Sequence, residues 1–199
     1  MRAIPNLLAA AVLLGAAQAN VAEAGQGQSP TARQTVAPPP GFIDSCRRYA
    51  WFCEQGPAGR LNQSELMEAA IRINRQVNGS VREMSDFANY GSTDRWALPT
   101  NGNGDCEDFV LEKFRLLLAA GADSRDLSIA VALDRNGDNH AVLVLHHAEG
   151  DLILDNLERG IRPWNQTSYR FLAMQTREEK RQWVVVVHQP RDRMVLAER

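Results

Sequence analysis

Residues 104–121 read Gly104-Asp105-Cys106-Glu107-Asp108-Phe109-Val110-Leu111-Glu112-Lys113-Phe114-Arg115-Leu116-Leu117-Leu118-Ala119-Ala120-Gly121. Phe109, Val110, Phe114, Leu117 and Leu118 recur at helical spacing as an apolar stripe, and Gly121 supplies the stop. This is the clearest helix in the chain, over 104–120, and a cysteine lies in its first turn. A thiol there meets the positive end of the helix dipole, which favours the thiolate, the form that attacks carbonyl carbon. Upstream, residues 62–78 carry Leu66, Ala69, Ala70, Ile73 and Val77 at the same period, with Asn62 and Glu65 placed as a cap. Residues 81–100 read as a polar loop holding Trp96. Beyond Gly121 the period changes. Residues 127–133, 140–147, 151–155 and 183–188 are short β-branched or leucine-rich runs, divided by turns such as Arg135-Asn136-Gly137-Asp138. Helices first and strands afterwards predict an α+β domain with N-terminal helices packed on an antiparallel sheet.

The 199 residues are 44% hydrophobic, which suffices for one globular domain. A net charge of −2 lacks the basic excess of a nucleic-acid binder, so that class of partner is excluded. No apolar run reaches the roughly 18 residues of a membrane span, so no stable insertion in a bilayer is expected. Met1-Arg2, the apolar run from Leu7 to Ala17 and the small-x-small triplet Ala17-Gln18-Ala19 have the anatomy of a secretory signal over residues 1–19. A cut after Ala24 is the alternative. Export to the periplasm, an oxidising compartment, is therefore expected. Residues 20–40 end in Pro38-Pro39-Pro40, carry almost no large apolar side chains, and are expected to form a disordered tether. Residues 41–199 then make one domain, with no second linker visible within it.

Within it, Cys106, His140 and Asp155 stand out as nucleophile, base and orienter. His140 opens a strand just after a turn, and Asp155 closes the next one. Direct opposition of the two requires a hairpin loop centred on His147 and Ala148; a turn at Glu149-Gly150 would leave them about 13 Å apart along the ladder. The triad thus predicts the first register, or a bulge that shifts it. The acidic Asp105, Glu107 and Asp108 are independently favourable at a helix N-terminus. His146, His147 and His188 read as edge or surface residues, and Asp134–Asp138 as a turn too short for a calcium loop.

The segments Gly104-Asp105-Cys106-Glu107-Asp108-Phe109, His140-Ala141-Val142-Leu143 and Leu154-Asp155-Asn156 resemble the signature of the bacterial transglutaminase-like cysteine proteinases, the family of the LapG-type periplasmic proteases. The resemblance is close over residues 96–156. It implies a papain-like, transglutaminase-like α+β fold with the triad on Cys106, His140 and Asp155. It also implies calcium on Asp105 and Glu107, with Asp108 a further ligand, and the Trp96 indole in an oxyanion hole beside the Cys106 backbone N–H. Its implied partners are an exported protein substrate, on the family's pattern a large surface adhesin whose cleavage releases biofilm, and an inner-membrane receptor for cyclic di-GMP. A calcium site has a physical attraction: carboxylates beside Cys106 oppose the helix dipole, and a bound cation cancels them. Two or three carboxylates, however, are fewer than the six to eight oxygens calcium takes.

With Cys106 reserved as a free thiol, Cys46 and Cys53 make an even pair, and an oxidising compartment favours a bridge. In an unbroken helix their Cα atoms would lie about 10 Å apart, so the helix must bend or end between them, or they stay free. A cysteine protease is the leading reading. An acyl transferase passing the thioester to an amine, and a non-catalytic binding module, are the alternatives.

Overall fold

The computed structural model describes residues 30–187; the expected signal segment 1–19 and the start of the expected tether lie outside the described residues. A strand β1 (Thr31–Val36) leads into α1 (Pro40–Arg48) and the long α2 (Gln63–Ser80). Short pieces follow: β2 (Arg82–Glu83), α3 (Asp86–Tyr90) and β3 (Asn103–Gly104), then α4 (Cys106–Ala120). The rest is strand: β4 (Leu127–Leu133), β5 (Asn139–His147), β6 (Gly150–Leu154), β7 (Arg162–Pro163), β8 (Arg170–Gln175) and β9 (Trp183–Val187). These pair as one antiparallel sheet in the order β1-β9-β8-β4-β5-β6-β7.

Local chemistry explains the helices. Asn62 and Glu65 form a reciprocal capping box at the start of α2, each side chain taking the other's backbone N–H. Gly121 ends α4 with φ +107°, a conformation that disfavours any side chain. One face of the sheet is covered by α1, α2 and α4, with Leu66, Ile73, Phe109, Phe114 and Leu143 in the shared core. Phe42, Trp96 and Trp183 meet edge to face at 5.1–6.5 Å and seal that core near the sheet's β1 edge. The opposite face holds a second apolar cluster around Val142, Ile153, Tyr169 and Phe171.

The expected tether is corrected in part. Residues 31–36 form the edge strand β1 on β9, because an edge strand is held by its backbone ladder and needs few apolar side chains. Cys46 and Cys53 are joined in a disulfide, with Cα atoms 5.8 Å apart; α1 ends at Arg48 and a 3-10 turn over Ala50–Phe52 swings Cys53 back.

The hairpin register also differs from expectation. His147 pairs with Gly150 and Leu143 with Leu154, so the turn is Ala148-Glu149. Asp155 falls just past the end of β6, diagonal to His140 rather than opposite it.

Candidate active site

Cys106 is the first residue of α4 and carries the free thiol. It lines a cleft of about 520 Å³ with Pro40, Trp96, Glu107, His140 and Leu172. His140 is the second residue of β5, and its Nε2 lies 2.9 Å from Asp155 Oδ1. The diagonal placement suffices because diagonal cross-strand positions lie about 7–8 Å apart, within reach of an imidazole and a carboxylate together. With Nε2 held by Asp155, Nδ1 is the ring nitrogen left for the cleft. The three residues singled out in the sequence are thus brought to one place.

Both oxygens of Asp155 are occupied. Oδ1 also accepts from the Leu157 amide at 3.1 Å, and Oδ2 accepts from the Tyr169 hydroxyl. Burial disfavours its charge, the largest single effect, but these hydrogen bonds together outweigh it and hold the carboxyl below its ordinary range. Lys113 is fully buried on α4; desolvation pushes its ammonium down to about 7, while the charge of Asp155 pulls the other way. Neither Tyr169 nor Lys113 could be assigned from spacing. Tyr169 stands alone in a turn, and Lys113 interrupts an otherwise apolar helix face without a motif around it.

The thiol is not in the state the helix dipole alone predicts. Burial pushes the Cys106 thiol far up, and the charge of Glu107 adds to that. Its Sγ donates to Glu107 Oε2 at 3.0 Å rather than to His140, while the Ala141 amide donates to the sulfur and works in the opposite direction. The dipole is a fraction of a charge spread over a turn, whereas Glu107 when ionised places a full charge in contact with the sulfur.

Glu107 belongs to an acidic cluster with Asp86 and Asp105, whose ligand atoms all lie within 4.8 Å of one another. Asp86 was not legible in the sequence. The parallel pairing of β2 with β3, Arg82 against Asn103 and Glu83 against Gly104, carries it to the mouth of α4. There its amide donates to Asp105 Oδ2 at 3.1 Å. Burial pushes Asp105 up to about 6, with the charge of Asp86 adding, and pushes Glu107 up to about 8, with the charge of Asp105 adding. Asp86 Oδ1 and Asp105 Oδ1 are buried with no hydrogen-bond partner. Crowded carboxylates with unpartnered oxygens are the donor set of a hard divalent cation.

Two of the expected site residues have partners elsewhere in the structure. Asp108 is outside the acidic cluster; its Oδ1 accepts from the Ala97 amide at 2.7 Å and pins the Trp96 loop to α4. Desolvation pushes it up to about 8. Trp96 gives its indole N–H to Asp94 Oδ1 at 2.9 Å, so that donor is spent on the loop and not on an oxyanion. Asp94 Oδ2 in turn takes the Gly41 amide at 2.8 Å. A side chain at Gly41 would come within 2.6 Å of Asp94, which accounts for the glycine.

His146, expected at the surface, is buried. Its Nδ1 lies 2.7 Å from Asp151 Oδ1 and its Nε2 lies 2.9 Å from Ser128 Oγ, a Ser-His-Asp chain inside the sheet's second core.

A sequence profile of the bacterial transglutaminase-like cysteine proteinases (BTLCP) matches residues 32–191, most of the chain. The chain belongs to that family. The profile begins inside β1, in agreement with the fold. Among solved structures, calcium-bound LapG of Legionella pneumophila shares 28% identity over 54% of this chain and 63% of that one, with a TM-score of 0.47. The EGTA-treated form of the same protein shares 28% identity over 55% and 62%, with a TM-score of 0.49. The chain therefore spans a little under two thirds of the length of these solved relatives. Comparison with curated proteins finds no match.

Proposed function

We propose that this proteinase is exported to the periplasm and cuts a peptide bond in a periplasmic or cell-surface protein through an acyl-thioester on Cys106. The observation that carries the reading is that Cys106 and His140 line one cleft while Asp155 holds the far nitrogen of the same imidazole. In this reading Cys106 Sγ passes its proton to His140 Nδ1 and attacks the scissile carbonyl carbon. The oxyanion forms at the N-terminus of α4, where the Cys106 amide has no intrahelical acceptor. Nδ1–H then protonates the leaving amine, the C–N bond breaks, and the acyl group stays on sulfur. Water, losing its proton to Nδ1, attacks the thioester and restores the thiol. Asp155 stays ionised throughout and fixes which imidazole nitrogen faces the cleft.

Asp86, Asp105 and Glu107 are the residues that would hold a calcium ion, with backbone carbonyls and water completing its oxygen set. The ion supplies positive charge that neutralises Glu107 and Asp105 beside the thiol. Glu107 accepts the Cys106 Sγ–H, and the first transfer requires that proton to turn from Glu107 to His140 Nδ1.

The test is incubation of the exported form with candidate surface adhesins and other exported proteins, with a primary amine present, read by mass spectrometry. Wild type is expected to leave a new free carboxyl and a new N-terminus, Cys106→Ala neither. An amine adduct in place of the carboxyl overturns hydrolysis in favour of transfer, and an intact but bound substrate overturns catalysis. EGTA is expected to stop cleavage and added calcium to restore it; full activity in EGTA overturns the calcium assignment.

A further inference from the structure

Asp155 is 2% exposed, and every one of its hydrogen bonds is made inside the protein. The group that completes the set is Tyr169, from the turn between β7 and β8. Its hydroxyl donates to Asp155 Oδ2, the oxygen that His140 does not use. Its ring lies against the His140 ring with centroids 5.1 Å apart at 43°. Tyr169 thus touches both members of the pair, one through its polar tip and the other through its face.

The turn that carries Tyr169 is itself tied down. Thr167 Oγ1 donates to the Trp164 carbonyl at 2.8 Å, and Ser168 Oγ accepts from Arg135 Nε at 2.7 Å. The Tyr169 ring packs edge to face on Phe171, the second residue of β8, at 6.4 Å. The hydroxyl therefore arrives from a rigid base rather than from a free loop.

We infer that Tyr169 is a positioning residue for the Cys106 reaction: it fixes the Asp155 carboxylate in rotation and backs the His140 ring, so that Nε2 carries the proton and Nδ1 faces the cleft. This rests on the catalytic reading above. The inference is geometric. A carboxylate held through one oxygen alone can swing about its Cβ–Cγ bond, whereas one held through both cannot. An imidazole backed by a ring on one side has one plane in which to meet the thiol. Asp155 lies past the last residue of β6, where the ladder no longer restrains it, so a second anchor is needed there.

Tyr169→Phe keeps the ring and removes the hydroxyl; Tyr169→Leu removes the ring as well. In Tyr169→Phe, kcat is expected to fall about tenfold with KM unchanged, as when a supporting hydrogen bond behind an active group is cut. Tyr169→Leu is expected to fall further. In a Cys106→Ala background, ¹⁵N NMR of His140 is expected to show the Nε2–H tautomer in the parent and a mixture of tautomers after Tyr169→Phe. The spectrum does not depend on turnover, so it separates the two ideas. An unchanged His140 spectrum overturns the positioning role whatever the enzyme does. A changed spectrum in a protein that cleaves nothing supports the positioning role and overturns the catalytic reading instead. Equal loss in kcat and in thermal stability, with the spectrum unmoved, assigns Tyr169 to packing and likewise overturns the inference.

Discussion

On strand β5 two histidines are each paired with an aspartate on or just past β6. The pairs are alike in composition and burial but differ in register and in what lies beyond the imidazole. His140 and His146 are both even-numbered on β5 and so lie on the same face. His146 sits directly across from Asp151 in the ladder, both of its nitrogens are bonded, and its second partner, Ser128, is fully buried. His140 reaches its aspartate diagonally, commits one nitrogen, and lines an open cleft with a cysteine. The interior pair ties β4, β5 and β6 together and has no surface on which to work. The outer pair sits where β5 begins and β6 has just ended, so one side of its imidazole is free. The outer pair leaves one imidazole nitrogen facing a cleft where the ladder stops.

The severest way to break this contrast is to exchange the nucleophiles. His140→Ala and Cys106→Ala are each expected to lower cleavage by at least about a thousandfold, with circular dichroism unchanged. Placing a thiol at the inner pair, as Cys106→Ala/Ser128→Cys, is expected to recover nothing, because Ser128 has no exposed atom to offer a substrate. Recovered cleavage in that double variant would show that opening onto a cleft is not what separates the pairs.

A second measurement concerns charge. Asp105, Glu107 and Asp108 have folded values near 6, 8 and 8, all above their ordinary range. Their contribution is therefore fully present below about pH 4, where they are protonated folded or unfolded, and is lost as pH rises through about 6 to 8. In EGTA the melting temperature is expected to fall over that window, and calcium is expected to flatten the fall. Asp108→Asn keeps the acceptor for Ala97 and is expected to flatten a further part, independently of calcium. A melting curve that rises with pH in EGTA contradicts the acidic cluster.

The smallest effect is expected at the inner pair. Ser128→Ala leaves His146 Nε2 without its partner in the core and is expected to cost about 1–3 kcal/mol of stability, read from denaturant midpoints. Turnover should stay within about twofold of wild type, since nothing in the cleft is touched. A large loss of turnover at full stability would join the two pairs into one functional network.

What the sequence made legible follows from which forces act locally. The helix expected over 104–120, the Asn62 cap and the Gly121 stop are written in neighbouring residues and stand in the fold, with the helix starting at Cys106 because Gly104 pairs in β3. Cys106, His140 and Asp155 could be marked because each sits at the end of an element that periodicity reveals. Asp86 and Tyr169 could not, since only the β2–β3 pairing and the turn before β8 bring them near the triad residues. The hairpin register was misjudged because direct opposition was taken as the requirement, whereas two long side chains close a diagonal. His146 was misread because alternation gives the face of a strand but not what covers it. The edge strand β1 was missed for the complementary reason: backbone pairing leaves no trace in side-chain chemistry.

That edge strand also has a mechanical meaning. Thr31 lies opposite Val187 and Val36 opposite Trp183, so β1 and β9 run as two sides of a zipper with their outer ends together. Tension that separates residues 31 and 187 meets the ladder one rung at a time and not all rungs in parallel, the weak direction for a β-ribbon. When the last rung parts, the strain passes to Pro39 and Pro40, which wall the cleft beside Cys106. A pull on this edge of the molecule therefore reaches the wall of the Cys106 cleft before it reaches the Cys46–Cys53 disulfide.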